Sequence, residues 1–284
     1  VDLEVPADSE IVIEGEISTD YLEPEGPFGE SHGHVAMEDF NMSMQVTAIT
    51  MRKSAVFISI VSQVTPSESS TLKKVAYEPL YFEHLKKALN IKGVKRVVMH
   101  EPLTNIRKVI FVQFDRSAPQ TEIWRGLQGA ASLQAQCGKI VIAVSDDIDP
   151  NNADAIFWSI AYRSNISTDV HVVPYRSGGH GPKSGRGGTD ATMMIDATLK
   201  AAMPPLALPR EEFMSRAKGI WEELQLPRLS PQPPWYGYEL GDWSDLYTQY
   251  ANRAVVGDWE QNGALTEGQQ KGGMKPETPV RDIE

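Results

Sequence analysis

The chain of 284 residues holds one cysteine, Cys137. An intrachain disulfide and a cysteine-based zinc site are both excluded. Cys137 stands just before the apolar run Ile140 to Val144, where a buried, inert thiol is favoured over a reactive one. Such sparing use of cysteine fits a reducing, cytoplasmic compartment. Long apolar runs are missing as well: none approaches the roughly 18 residues that cross a bilayer, so no membrane is expected as a partner. Positive charge is scarce. Lys and Arg number 27 against 38 Asp and Glu, a net charge of −11 with the bases scattered. A surface of that kind repels phosphate backbones, which argues against a nucleic-acid partner. Apolar residues become rare from residue 260 onward, where an extended or disordered tail is expected.

What is present reads first as β and then as mixed structure. The chain opens Val-Asp-Leu-Glu and enters a strand by Glu10, as expected of a processed product or a piece of something longer. Residues 10–17 alternate apolar and polar, the period of a half-buried strand. A loop rich in Gly, Pro and Glu spans 21–34, and strands at about 44–51 and 55–64 flank a turn at Arg52-Lys53-Ser54. Residues 69–90 carry apolar positions at helical spacing that Pro79 should break. Val94 to Met99, Val109 to Phe114, Ile140 to Val144 and Val170 to Val173 read as strands. Helices are expected at Ile123 to Gln136, at Asn151 to Arg163 with an Asn cap, and at Arg210 to Leu226. Strands alternating with helices imply an α/β layer around a buried, partly parallel sheet. The aromatic stretch Trp235 to Trp259 reads as a segment that packs on a partner subunit, or as an arm over its own domain.

The densest chemistry lies in Pro24-Glu25-Gly26-Pro27-Phe28-Gly29-Glu30-Ser31-His32-Gly33-His34. Gly26, Gly29 and Gly33 allow tight backbone paths and the prolines stiffen them. Such a loop can fix Glu25 and Glu30 near each other. Two close carboxylates do not both ionise freely, so one becomes an acid able to deliver a proton near neutral pH. On spacing alone, two solvated surface carboxylates remain the competing reading.

The string Glu-Gly-Pro-Phe-Gly-Glu after Glu-Ile-Val-Ile-Glu-Gly closely resembles the signature of the UbiD family of prenylated-FMN-dependent decarboxylases. Ile49-Thr-Met-Arg52, Ile140 to Asp149, Phe157 to Arg163, and Val173 to Pro182 with Arg186-Gly-Gly188 resemble later family motifs in the same order. The last is most similar to ferulic acid decarboxylase. This resemblance spans roughly residues 4–225. It implies an α/β (α+β overall) fold: the end of a split β-barrel flavin domain at 1–54, an α/β sheet domain at 55–200, and a C-terminal helix, aromatic arm and tail at 201–284. It implies a carboxy-lyase that reversibly decarboxylates an aromatic or α,β-unsaturated acid. Hydroxybenzoates, cinnamate-like acids, heteroaromatic acids and aryl thioesters all stay open as substrates. The cofactor implied is prenylated FMN, with a divalent metal (Mn or Mg) and potassium expected from an N-terminal half of the enzyme. By the same mapping Glu30 is the proton donor, and Glu25 belongs to a Glu/Arg network whose Arg lies upstream. Arg52, Arg107 and Arg163 fall in later family positions and do not replace it.

Ser31 and Lys73 are expected to line the substrate pocket, Lys73 pairing with a polar or anionic substrate group or else lying solvated on a helix. Val170 and Val172 share one side of their strand and are expected to meet the substrate ring, with His171 on the other face. No residue is assigned to a metal. The pair His32/His34 lacks acidic partners, and Asp146, Asp147 and Asp149 fit helix capping better than ligation. The Ser177 to Gly188 loop, with Lys183 and Arg186, reads as an anion nest or a subunit contact. At least a homodimer is expected. The alternative function is a non-catalytic assembly chain that keeps this fold without the flavin-binding half.

Overall fold

The computed structural model of the chain describes residues 2–35, 39–105, 107–178, 181–182, 189–201, 203–204, 206–227, 245–268, 279 and 281. These fall into two compact units, residues 1–146 with 155–199, and residues 147–154 with 200–284.

The first unit begins with two small antiparallel ribbons. Strand β1 (Ile11–Ile17) pairs with β4 (Met44–Met51), while β2 (Glu23–Glu25) pairs with β3 (Asp39–Asn41) between them. Ile13 lies opposite Ile49, Ile11 opposite Met51 and Ile17 opposite Met44, so one face of the larger ribbon is apolar. That face is not covered: Ile13, Ile17, Ile49 and Met51 are each more than half exposed. The strand expected at 55–64 forms no ladder among the described residues. The Arg52–Ser54 turn is present, but β4 takes β1 as its partner and 55–62 runs on as irregular chain. Local β propensity lost there to the absence of a neighbouring strand.

The larger part of this unit is a five-stranded mixed sheet in the order β5-β6-β7-β9-β8. Its strands are β5 (Val94–Met99), β6 (Val109–Phe114), β7 (Ile140–Ser145), β8 (Val170–Arg176) and β9 (Asp190–Ala197). The β6, β7 and β9 ladders are parallel and the two outer strands antiparallel. Alternate side chains divide the sheet into two buried faces. Val97, Met99, Ile110, Val112, Phe114, Val141, Ala143 and Met194 join one core with Tyr81, Leu85, Ile123 and Leu127 of the covering helices. Val98, Phe111, Ile142 and Ile195 are buried on the opposite face. Strand β9 was not legible as a strand, because Asp-Ala-Thr-Met-Met-Ile-Asp-Ala is poor in β-branched residues. Its central place comes from burial.

Helix α1 (Glu68–Glu83) starts at a capping box in which Ser67 and Ser70 bond reciprocally. It runs through Pro79 and continues as a π-helical turn, His84–Ala88. Pro79 does not break it because burial of Tyr81 and Leu85 holds the next turns to the sheet. Helix α2 is Gln120–Ser132 and α3 is Ala153–Arg163, where Asn152 Oδ1 accepts the Asp154 amide as an N-cap. Asp149 accepts the Asn151 amide and Asp146 pairs with Arg116, so these acids brace turns. In the second unit lie α4 (Glu211–Glu223), α5 (Asp245–Val255) and α6 (Trp259–Gly268). Helix α6 corrects the reading of residues 260–268 as tail. Of the aromatic stretch, Trp235, Tyr236, Tyr238 and Trp243 lie outside the described residues. No helix among the described residues is long and apolar enough to cross a membrane.

Candidate active site

Glu25 ends β2, is exposed, and accepts a hydrogen bond from Asn41 Nδ2 at 3.0 Å across the small ribbon. Gly26 then turns the chain at φ +89°, a left-handed conformation that only glycine adopts without strain. The loop closes on itself further on. A bridge joins Gly29 to Val35, the Glu30 amide donates to the His34 carbonyl at 3.0 Å, and the Gly33 amide donates to the Glu30 carbonyl at 2.9 Å. Glu30 sits at the head of this closure, half-buried, with a carboxylate oxygen accepting the Ser31 amide at 3.2 Å.

Ser31 and His32 are buried behind it. The His34 amide donates to His32 Nδ1, and His34 Nδ1 faces the His32 carbonyl, each at 3.2 Å. The first bond leaves His32 Nδ1 without a proton, and the second requires one on His34 Nδ1. The His-x-His pair therefore closes a turn. Among the described residues no group of His, Cys, Asp and Glu is arranged to hold a metal ion.

The loop rests on the segment that precedes α1. A Cβ added at Gly29 would lie 2.6 Å from the Ser62 carbonyl oxygen, and one at Gly33 would lie 3.2 Å from the Thr65 amide nitrogen. Beyond Thr65, the Leu103 amide donates to its carbonyl at 3.4 Å, which ties in the turn that leads to Arg107. The Arg107 guanidinium carbon lies 5.9 Å from the centroid of the Tyr77 ring, a cation–π contact. Tyr77 is one helical turn beyond Lys73 on α1. Burial pulls the Lys73 ammonium below its ordinary range and the Arg107 charge adds to this, while the Glu30 charge works in the opposite direction. Glu30, Lys73 and Arg107 thus feel one another's fields.

The remaining candidates stand apart from this group. Strand β8 is the sheet edge; Val170 is half-buried on it and Val172 is 61% exposed. His171 points to the other face, 4.4 Å from the Trp124 ring of α2. The β8–β9 connection carries the glycine-rich loop, and an added Cβ at Gly181 would meet the His32 ring at 3.3 Å. Lys183 and Arg186 lie outside the described residues. Cys137 is buried, and burial raises its thiol pKa, as suits an inert core group. Sequence reasoning missed the grouping of Arg107 with Tyr77. The i, i+4 spacing of Lys73 and Tyr77 was a usable signal; Arg107, in an aperiodic turn, gave none.

Comparison with known proteins adds the family context. Residues 1–64 match the 3-octaprenyl-4-hydroxybenzoate carboxy-lyase Rift-related domain, and residues 70–197 match the C-terminal domain of the same carboxy-lyase. An uncharacterized protein of Archaeoglobus fulgidus is 24% identical over 243 residues, covering 79% of this chain and 48% of the relative. Another from Synechocystis sp. is 29% identical over 210 residues, covering 72% and 40%. The chain spans about half the length of the curated relatives it matches. Among solved structures, the UbiD-class enzyme HmfF from Pelotomaculum thermopropionicum, in complex with FMN, is similar at TM-score 0.59 and 29% identity, over 75% of this chain and 45% of that one. Vanillic acid decarboxylase of Sedimentibacter hydroxybenzoicus shares the fold at TM-score 0.60 and 22% identity, over 77% and 47%.

Proposed function

Because the chain belongs to the UbiD family of carboxy-lyases, we propose that it supplies the proton-donating loop of an enzyme that decarboxylates an aromatic or α,β-unsaturated acid. The observation that carries this reading is the setting of Glu30. Its carboxyl is half-buried at the head of a loop locked by its own backbone bonds and seated on the Ser62–Thr65 segment. A carboxyl held in one orientation can hand its proton to a single carbon position, which is what general acid catalysis requires. Glu25 anchors the entrance to the same loop through Asn41. Its place in a Glu/Arg network is part of the proposal.

Prenylated FMN is the cofactor proposed, since the similar HmfF structures carry FMN or prFMN. When bound, it would supply the electron sink for loss of carbon dioxide. The apolar face of the β1–β4 ribbon suits one wall of a flavin site, and no more than a wall. The described residues form no divalent-metal site, so no role in this chain is assigned to a metal. The exposed face also supports the proposal that the ribbon completes a split barrel with an N-terminal half. Burying a single aliphatic side chain there would contribute about 1.5–3 kcal/mol. Dimerisation is proposed with it, on the likeness to HmfF, of which an evolved dimeric form exists.

The test is Glu30→Gln in the cofactor-loaded enzyme. The amide keeps the shape and cannot give up a proton, so turnover should fall by roughly 100-fold or more with the fold intact. Turnover above about a tenth of the parent rate would remove Glu30 from the proton-donor role.

A further inference from the structure

We propose that Lys73 and Arg107 form an anion-holding pair beside Glu30, and that the substrate carries, besides the carboxylate it loses, a second anionic group that this pair grips throughout the reaction. The substrate part of this inference rests on the carboxy-lyase reading above; the anion pair itself does not.

The charges around Glu30 are out of balance. On the same stretch of chain, Lys74 reaches Glu78 at 3.0 Å and Lys87 reaches Glu83 at 2.5 Å. Lys73 and Arg107 have no carboxylate within ion-pair reach among the described residues. Both are nevertheless half-buried. Two positive groups thus face the one carboxylate of Glu30 in a partly desolvated place, and a further anion would satisfy them.

The surroundings are built rather than incidental. Tyr77 lies under the Arg107 guanidinium and fixes its plane, with Lys73 one turn earlier on the same helix. A fixed guanidinium presents two parallel donors that match a carboxylate or phosphate edge, and a lysine beside it adds a point charge. The strip that joins the Glu30 loop to Arg107 also holds polar groups without partners. Thr65 Oγ1 and both polar atoms of the Asn105 side chain are buried and make no hydrogen bond. Native proteins rarely leave such atoms unsatisfied, so a polar ligand group or water is expected against them.

The gripped anion cannot be the leaving carboxylate. Departure as neutral carbon dioxide removes that group's negative charge, so two cations upon it would stabilise the ground state more than the transition state and slow the reaction. The group they hold is therefore one the product keeps, such as a second carboxylate or a comparable oxyanion. This distinguishes the site from one for a simple mono-acid.

Equilibrium binding tests the pair without cofactor or turnover. Calorimetry would compare benzene-1,4-dicarboxylate with benzoate on the chain and on its Lys73→Met and Arg107→Met variants, with circular dichroism checking each fold. The dicarboxylate should bind at least about tenfold more tightly, a difference of about 1.4 kcal/mol. Either substitution should shrink that preference below roughly threefold, and Lys73→Arg should retain it. Where a Met variant does not fold, Gln at the same position carries the comparison. Equal binding of the two probes, binding of neither, or a preference that survives both substitutions would overturn the proposal. Undiminished turnover in Glu30→Gln would sink the carboxy-lyase assignment and leave the measured anion preference standing.

Discussion

Replacing Gly29 by Ala probes the link between loop packing and proton delivery. Gly29 has no left-handed φ, so what it needs is space and not conformational freedom. An added Cβ would sit 2.6 Å from the Ser62 carbonyl oxygen, where ordinary contact begins at 3.4 Å, so one side must yield by about 0.8 Å. The obstacle is backbone, which no rotamer change can move aside. Overpacking of this kind costs about 1–3 kcal/mol of stability. More telling is where the displacement goes, because Glu30 is the next residue. Shifting a reacting group by about 1 Å typically lowers the rate on the order of 100-fold. Gly29→Ala should therefore lower kcat of the cofactor-loaded enzyme by roughly that factor while the protein still melts cooperatively. Gly178→Ala is the control, since an added Cβ there meets nothing within 4 Å. A Gly29→Ala enzyme with unchanged melting and kcat within about threefold of the parent would refute the claim that the Ser62 contact positions Glu30.

Three further outcomes follow from the same coordinates. Gly219 lies inside α4 with open space around it, so Gly219→Ala should stabilise that helix by up to about 1 kcal/mol without touching activity, measured by denaturant titration. Leu127 is fully buried in the sheet–helix core, and Leu127→Ala should cost roughly 2–5 kcal/mol by the same measurement. Hydrogen bonds from the Ser117 hydroxyl and from Lys95 hold the Asp115 carboxyl well below the usual carboxylate range. Its folded pKa is depressed, so its contribution is complete above the unfolded value of about 3.9 and is lost as pH falls toward the folded one. Asp115→Asn should flatten that acid limb in a melting series from pH 6 to pH 2, and an unchanged limb would count against the assignment.

Where periodicity and burial agreed, the sequence was readable. Val94–Met99 and Val109–Phe114 are continuous β-branched and aromatic runs, and both are strands with those ends. The Asn cap before α3 was legible because Asn152 offers a side-chain acceptor one residue before the helix. Residues 55–64 looked like a strand by composition, yet strand formation also needs a neighbour, which composition does not report. Strand β9 showed the converse, a run poor in β-branched residues placed in the sheet by burial against β7 and β8. The site divides the same way. The loop holding Glu30 was evident as a contiguous string with glycines at its turns. The approach of Arg107 was not, because it depends on a turn that Thr65 ties in through a single backbone bond. Val172 was placed on the expected strand, but its exposure at the sheet edge could not be read from alternation alone.

The most direct test of the central claim is a single-turnover measurement on Glu30→Gln, following released carbon dioxide and protonated product separately. If Glu30 gives the proton, carbon dioxide should appear in about one equivalent per site and then stop, with almost no protonated product. Continued release of both at more than about a tenth of the parent rate would contradict the account, because another group would then be delivering the proton.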